Sequence, residues 1–164
     1  MSAFDRVAAE VTVEVGREEA FRIFTAETGL WWRRGPRFRA SGRTPGLLEF
    51  EPRVGGRLLE TFETESGRRV VVSGRIAAWE PPAFFAFEWR GVNFAPDDPS
   101  TTVEVRFDEL GPCRTRVALV HRGWPALRAD HPVRHGQGGQ EFIHMPGMWW
   151  GSLLTSFRER SSRE

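Results

Sequence analysis

From Val7 to Val15 the chain partly alternates apolar and polar residues and is rich in β-branched side chains, a strand pattern that Gly16 ends. The period then changes. Ala20, Phe21 and Phe24 recur at helical spacing, with Glu18 and Glu19 in the first turn where the helix dipole favours acids, so a short helix is predicted from Arg17 to near Gly29. Leu47–Phe50 and Leu58–Thr64 are predicted as short strands joined through the Gly55-Gly56 turn, with a second turn at Ser66-Gly67. Val70–Trp79 is a longer strand, stopped by Pro81-Pro82 because proline donates nothing to a sheet ladder. Phe85, Phe87 and Trp89 share one face of the next strand. Thr102–Glu109 and Thr115–Arg122 complete an antiparallel meander, with Val103, Val105 and Phe107 on one face of the first and Val117, Leu119 and His121 in phase on the second.

The last element runs from roughly Gly138 to Arg160 as an amphipathic helix. Trp149, Leu153 and Phe157 fall near one face with Phe142, Trp150 and Leu154 beside it, and Arg158, Glu159 and Arg160 point to water. Pro146 is expected to kink or restart this helix. Residues 33–46, RRGPRFRASGRTPG, are too rich in Arg, Gly and Pro for regular structure and are read as a long loop, and residues 125–140 as a loop with at most one helical turn. The pattern is that of one α+β domain over residues 1–164.

Charge and composition narrow the function by exclusion. The formal net charge of +1 does not support a nucleic-acid or anionic-membrane partner, which calls for a clustered basic excess. The chain contains no lysine, which excludes a Schiff-base lysine, a lysine base and a Walker-type phosphate loop. A single cysteine, Cys113, excludes an intrachain disulfide and a CxxC motif, and reads as a plain thiol in a turn. With neither a leader pattern nor an apolar run of membrane-spanning length, a soluble cytoplasmic protein is expected.

Four stretches carry a resemblance to a known group: VEVGREEAFRIFT after the first strand, VGGRLLETF, SGRIAAWEPPAFFAFEW, and RTRVALVHRGWP followed by the terminal GMWWGSLLTSF. The chain resembles the START-like, Bet v 1-like (SRPBCC) superfamily, and in particular its bacterial branch related to the C-terminal domain of the Hsp90 ATPase activator. The resemblance implies a helix-grip fold: a curved antiparallel sheet of about six or seven strands wrapped around the long C-terminal helix, with short helices after strand 1. It also implies a candidate cavity for a hydrophobic ligand between sheet and helix. The wider group includes lipid carriers, cyclases and hydrolases, ring-hydroxylase domains and co-chaperone domains, so function must come from the chemistry of the site.

The residues expected to line that space are Phe62, Trp79, Phe87, Trp89, Phe107, His121 and Trp149, with Trp31 and Trp32 as a lid. The aromatic wall, which also includes Phe85 and Trp150, is read either as a solid core or as the lining of a cavity. His121 is expected to point inward; with an inward Glu60 it would form an acid–base pair, the alternative being a strand-end histidine bonded to backbone and an outward Glu60. His131 and His135 have a helical metal-ligand spacing, but Pro132 lies between them and no nearby Cys or well-placed third ligand follows, although Asp130 and Glu141 are available, so neither metal nor cofactor is assigned. His144 reads as a helix-surface or core-edge residue, the alternative being that it polarises a ligand group inside the pocket. Arg33, Arg34, Arg37, Arg39 and Arg43, interleaved with Trp31, Trp32 and Phe38, resemble a single-strand nucleic-acid surface, which the net charge argues against; they read first as solvated arginines over a pocket entrance, and next as a reader of an anionic head group or an acidic partner. The leading expectation is binding of a small hydrophobic molecule. The alternatives are an enzyme of the same fold working by acid–base chemistry on an apolar substrate, and an interaction domain with a chaperone or homodimer partner.

Overall fold

Strict alternation of buried and solvent-facing side chains gives the strands one apolar face. Thr101, Val103, Val105 and Phe107 are buried on one strand and Thr115, Val117, Leu119 and His121 on its neighbour, the intervening residues facing outward. The computed structural model describes residues 6–32, 47–64, 67–89, 101–123 and 139–162. Its elements are β1 (Arg6–Val13), α1 (Arg17–Ala26), α2 (Thr28–Trp31), β2 (Leu47–Phe50), β3 (Arg57–Thr64), β4 (Gly67–Glu80), β5 (Phe84–Trp89), β6 (Thr101–Gly111), β7 (Arg114–Arg122) and α3 (Gly139–Ser161). The strands form one antiparallel seven-stranded sheet in the order β1-β7-β6-β5-β4-β3-β2, curled into a half-barrel.

Because β1 and β2 lie on opposite edges, the chain between them must cross the full width of the sheet. α1 and α2 make that crossing. α1 turns Ala20, Phe21, Ile23 and Phe24 into the interior, and its start is set by close backbone packing: a Cβ at Gly16 would stand 2.8 Å from the Pro112 carbonyl oxygen. The single helix predicted to Gly29 is in fact two, parted at Glu27, whose side chain leaves the turn to bond Arg160 of α3 at 2.9 Å and Arg22 at 2.6 Å. The predicted restart at Pro146 does not occur. α3 is continuous from Gly139 to Ser161, the loss of one backbone donor being tolerated in a helix of 23 residues.

α3 packs chiefly along β1 and buries Trp150, Leu153, Leu154 and Phe157. Beneath α1 the interior is filled by rings in mutual contact. Phe21 meets Trp79, Phe85 and Phe107 at centroid distances of 5.1, 5.7 and 5.0 Å. Phe24 meets Trp31, Phe85, Phe107 and Phe157 at 4.7, 5.6, 5.7 and 5.1 Å, mostly edge to face.

The two ends of the sheet differ. At one end residues 14–16, 51–56, 81–83 and 112–113 make short connections, including the Gly55-Gly56 turn with Gly55 at φ +79°. At the other end residues 33–46, 90–100 and 124–138 join the elements, leaving from Trp32, Trp89 and Gly123.

Replacing Phe24 by Ala removes a ring touched by four others and is expected to destabilise the fold by about 3–5 kcal/mol. Val70→Thr on the outer face should change stability by no more than about 0.5 kcal/mol. Urea unfolding of both variants checks the contrast.

Candidate functional site

The site is built on the open end of β5, β6 and β7. Register sets Val103 opposite both Phe87 and His121, so the inward position one step nearer the end is Thr101 on β6 and Trp89 on β5. His121 is 1% exposed and bonded on both ring nitrogens. Its Nδ1 lies 3.0 Å from the indole nitrogen of Trp150 and its Nε2 lies 2.7 Å from the Thr101 hydroxyl, which in turn lies 3.0 Å from the Trp89 carbonyl oxygen.

The chemistry of the partners fixes every proton in this chain. An indole N–H only donates, so Nδ1 accepts from Trp150; the neutral ring therefore carries its proton on Nε2 and donates it to Thr101 Oγ1. Thr101 then donates to the Trp89 carbonyl. Burial pushes the His121 pKa down from 6.5 to about 3. Protonation at Nδ1 would also set N–H against N–H at Trp150. A ring that stays neutral and doubly bonded is a weak base near pH 7, which disfavours the acid–base role in this arrangement.

Aromatic rings extend the site toward α2. Trp89 stands perpendicular to His121 at 5.3 Å, His121 meets Trp150 at 5.9 Å, Trp150 meets Trp32 at 5.7 Å, and Trp32 meets Trp31 at 5.7 Å. Glu60 on β3 is inward, as parity with Leu58 suggested, and is 1% exposed. It lies opposite Leu48 on β2 and Val71 on β4.

The residues expected to line the interior distribute unevenly. Phe87 and Phe107 are core rings of the filled half, and Trp79 is half-buried against Phe21 and Phe85. Trp31 is 1% exposed and its indole N–H lies 3.2 Å from the carbonyl oxygens of Ile23 and Phe24, so it is part of the core rather than the lid expected; its own backbone carbonyl accepts from Ser156 of α3. Trp32 is buried as well. The backbone partner considered for His121 is replaced by two side chains. The side chains of Phe62, Phe142, His144 and Trp149, and the whole of His131, His135 and the arginines of residues 33–46, lie outside the described residues. Cys113 is exposed in the β6–β7 turn. Thr101 was missed by sequence reasoning although it continues the inward parity of Val103. Trp150 was seen as apolar wall, and nothing in the sequence gives the rotation of α3 that aims its N–H.

A curled antiparallel sheet gripping a C-terminal helix, with short helices crossing behind strand 1, defines a helix-grip protein of the START-like, Bet v 1-like class. Within it the family model described as "Activator of Hsp90 ATPase homolog 1-like protein" matches residues 14–145, and the chain belongs to that family. Among solved structures it is similar to an anthrahydroquino-gamma-pyrone synthase, Txn09, solved as a complex (30% identity, 93% of this chain and 96% of that one, TM-score 0.53). It is also similar to an HSP90 activator from Plasmodium falciparum (18% identity, 95% of each chain, TM-score 0.62). CalC, a self-sacrificing resistance protein from Micromonospora echinospora, is a third (23% identity, 98% and 96%, TM-score 0.59). No curated protein matches the chain. Among the described residues no helix is long and apolar enough to cross a membrane.

The depressed pKa of His121 has a pH signature. Between about pH 6.5 and 3 the unfolded chain holds a proton that the folded chain does not, so stability is whole above this window and falls as pH drops through it. At about 1.4 kcal/mol per unit, the loss between pH 7 and pH 5 is roughly 2 kcal/mol. Urea unfolding of the wild type and of His121→Gln at both pH values should show a smaller loss in the variant. Equal losses would remove His121 as the source.

Proposed function

We propose that the chain binds a small, flat apolar molecule at the open end of its interior, beside Trp32, Trp89 and Trp150. One observation carries this reading. Of the four buried polar side chains on the sheet among the described residues, Thr115 bonds the Val15 carbonyl at the closed end, while Thr101 and His121 lie together at the open end beside the indoles and Glu60 is buried on β3, two strands from Trp89, toward the same end. Apolar walls with a few convergent polar groups are the usual make-up of a small-molecule site, and the interior beneath α1 is occupied by packed aromatic and aliphatic side chains. The 30% identical relative is named for an anthrahydroquino-gamma-pyrone, which supports a fused-ring ligand class here.

Titration of intrinsic tryptophan fluorescence with a fatty acid, a sterol and an anthraquinone tests it, with native mass spectrometry of freshly purified protein alongside. Saturable quenching by the anthraquinone is expected, and it should weaken at least tenfold in Trp89→Ala. No saturable response to any of the three, with no co-purified mass, would sink the reading.

A second reading is favoured by a different surface. On the outer face of β4, Val70 and Val72 are 51% and 46% exposed beside Leu59 of β3, and the interior beneath α1 is solid; an interaction domain of the Hsp90-activator kind needs no cavity. Stimulation of the ATPase of purified Hsp90, lost in Val70→Asp, would support it, and an unchanged ATPase rate would set it aside.

A further inference from the structure

β1 is an edge strand without the usual devices against pairing. It stands at one end of the sheet order, so a row of its backbone N–H and C=O groups points away from β7 with no strand beside it among the described residues. Edges of this kind are normally kept short, bulged, broken by proline or guarded by charge. The opposite edge, β2, has only 4 residues, whereas β1 runs for 8, RVAAEVTV, contains no proline and pairs with β7 without a register shift. Glu10 is the single charge in its interior.

α3 runs beside this edge without sealing it. Between strand and helix a cavity of about 320 Å³ opens to solvent, with Glu10, Val11 and Thr12 on one wall and Gly151, Thr155 and Arg158 on the other. Glycine weakens a helix interior, yet a Cβ at Gly151 would meet nothing within 4 Å, so packing within the chain does not require it there. A glycine in that position suits the close approach of another backbone. Glu10 and Arg158 are both exposed, and although they share the cavity, neither forms an ion pair with the other or with any other described residue.

From these features, which are independent of the ligand site, we propose that the β1 edge is the interface of a homodimer, formed by antiparallel pairing with β1 of a second copy. The charges select this occupant. Two-fold contacts are isologous, so each copy must complement the surface it offers. One unpaired anion beside one unpaired cation is complementary to itself, each Glu10 meeting Arg158 of the other copy. Register agrees: an axis at Val11 sets each Glu10 opposite Thr12 of the second copy and keeps the two carboxylates apart, whereas an axis at Glu10 would oppose them. The α3 helices then flank the shared strands, and Gly151 leaves them room to approach.

Sedimentation equilibrium of the full chain should give twice the chain mass, with a dissociation constant in the micromolar range. Glu10→Arg and Arg158→Glu each set like charges across the axis and should weaken association at least about tenfold, and the double variant, which exchanges the charges, should restore it to within about threefold. Gly151→Arg should give a monomer that is folded by circular dichroism. A wild type that stays monomeric up to about 100 μM overturns the proposal and leaves the edge to an extended segment of another protein. A dimer indifferent to all three single variants overturns it equally, because its interface would lie elsewhere. Single charge variants that weaken association without rescue in the double variant would overturn the reciprocal Glu10–Arg158 pairing on which the two-fold rests.

Discussion

Phe24 is the one side chain on which the arrangement of this protein turns. Its ring meets Trp31 of α2, Phe85 of β5, Phe107 of β6 and Phe157 of α3, so a single contact set joins both crossing helices, the centre of the sheet and the terminal helix. Each ring pair contributes about 0.5–1.5 kcal/mol beyond the area it buries. Without this hub the crossing from β1 to β2 would have no fixed depth, and the helices would have no defined height above the sheet. The polar links between helices, Glu27 to Arg160 and the Trp31 carbonyl to Ser156, then set orientation on a contact that packing has already made.

That packing divides the interior into two kinds of material. Under α1 it is chiefly a lattice of phenylalanine and tryptophan rings that demands shape, the Trp31 indole bonded to α1 carbonyls being its polar exception. Toward the other end, the inward positions change to Thr101, His121 and Glu60, and direction as well as size begins to matter. The hydrogen-bond chain from Trp150 through His121 and Thr101 to the Trp89 carbonyl ties α3 to three strands and has one proton arrangement. A well-satisfied buried network of this type specifies a unique geometry more than it adds stability.

Much of this was legible in the sequence. Period-two patterning put Phe85, Phe87, Trp89, Val103, Val105, Phe107, Val117, Leu119 and His121 on the inner face, and all are buried. Turn chemistry located the β2–β3 connection at Gly55-Gly56 and the end of β4 at its two prolines. What was hidden depends on tertiary contacts. Trp31 looked like a lid because it precedes an irregular segment, but its indole finds the last carbonyls of α1, which only the break at Glu27 allows. The partners of His121 were hidden for a related reason: strand parity gives which face Thr101 is on, whereas the phase of a helix against a sheet is set by packing, and it decides where Trp150 aims.

The unequal ends of the sheet bear on how such a fold can diversify. Short turns close the end beneath the ring lattice, where a Cβ at Gly56 would stand 2.2 Å from the Glu51 carbonyl oxygen, so substitution and insertion there meet resistance from backbone itself. Every longer connecting segment attaches at the opposite rim, beside the indoles and the buried acid. Length and composition can drift at that rim without touching Phe24 or its neighbours. The fold therefore separates the part that must be inherited intact from the part that can be rewritten, so that one scaffold can acquire new ligands by changes confined to one edge.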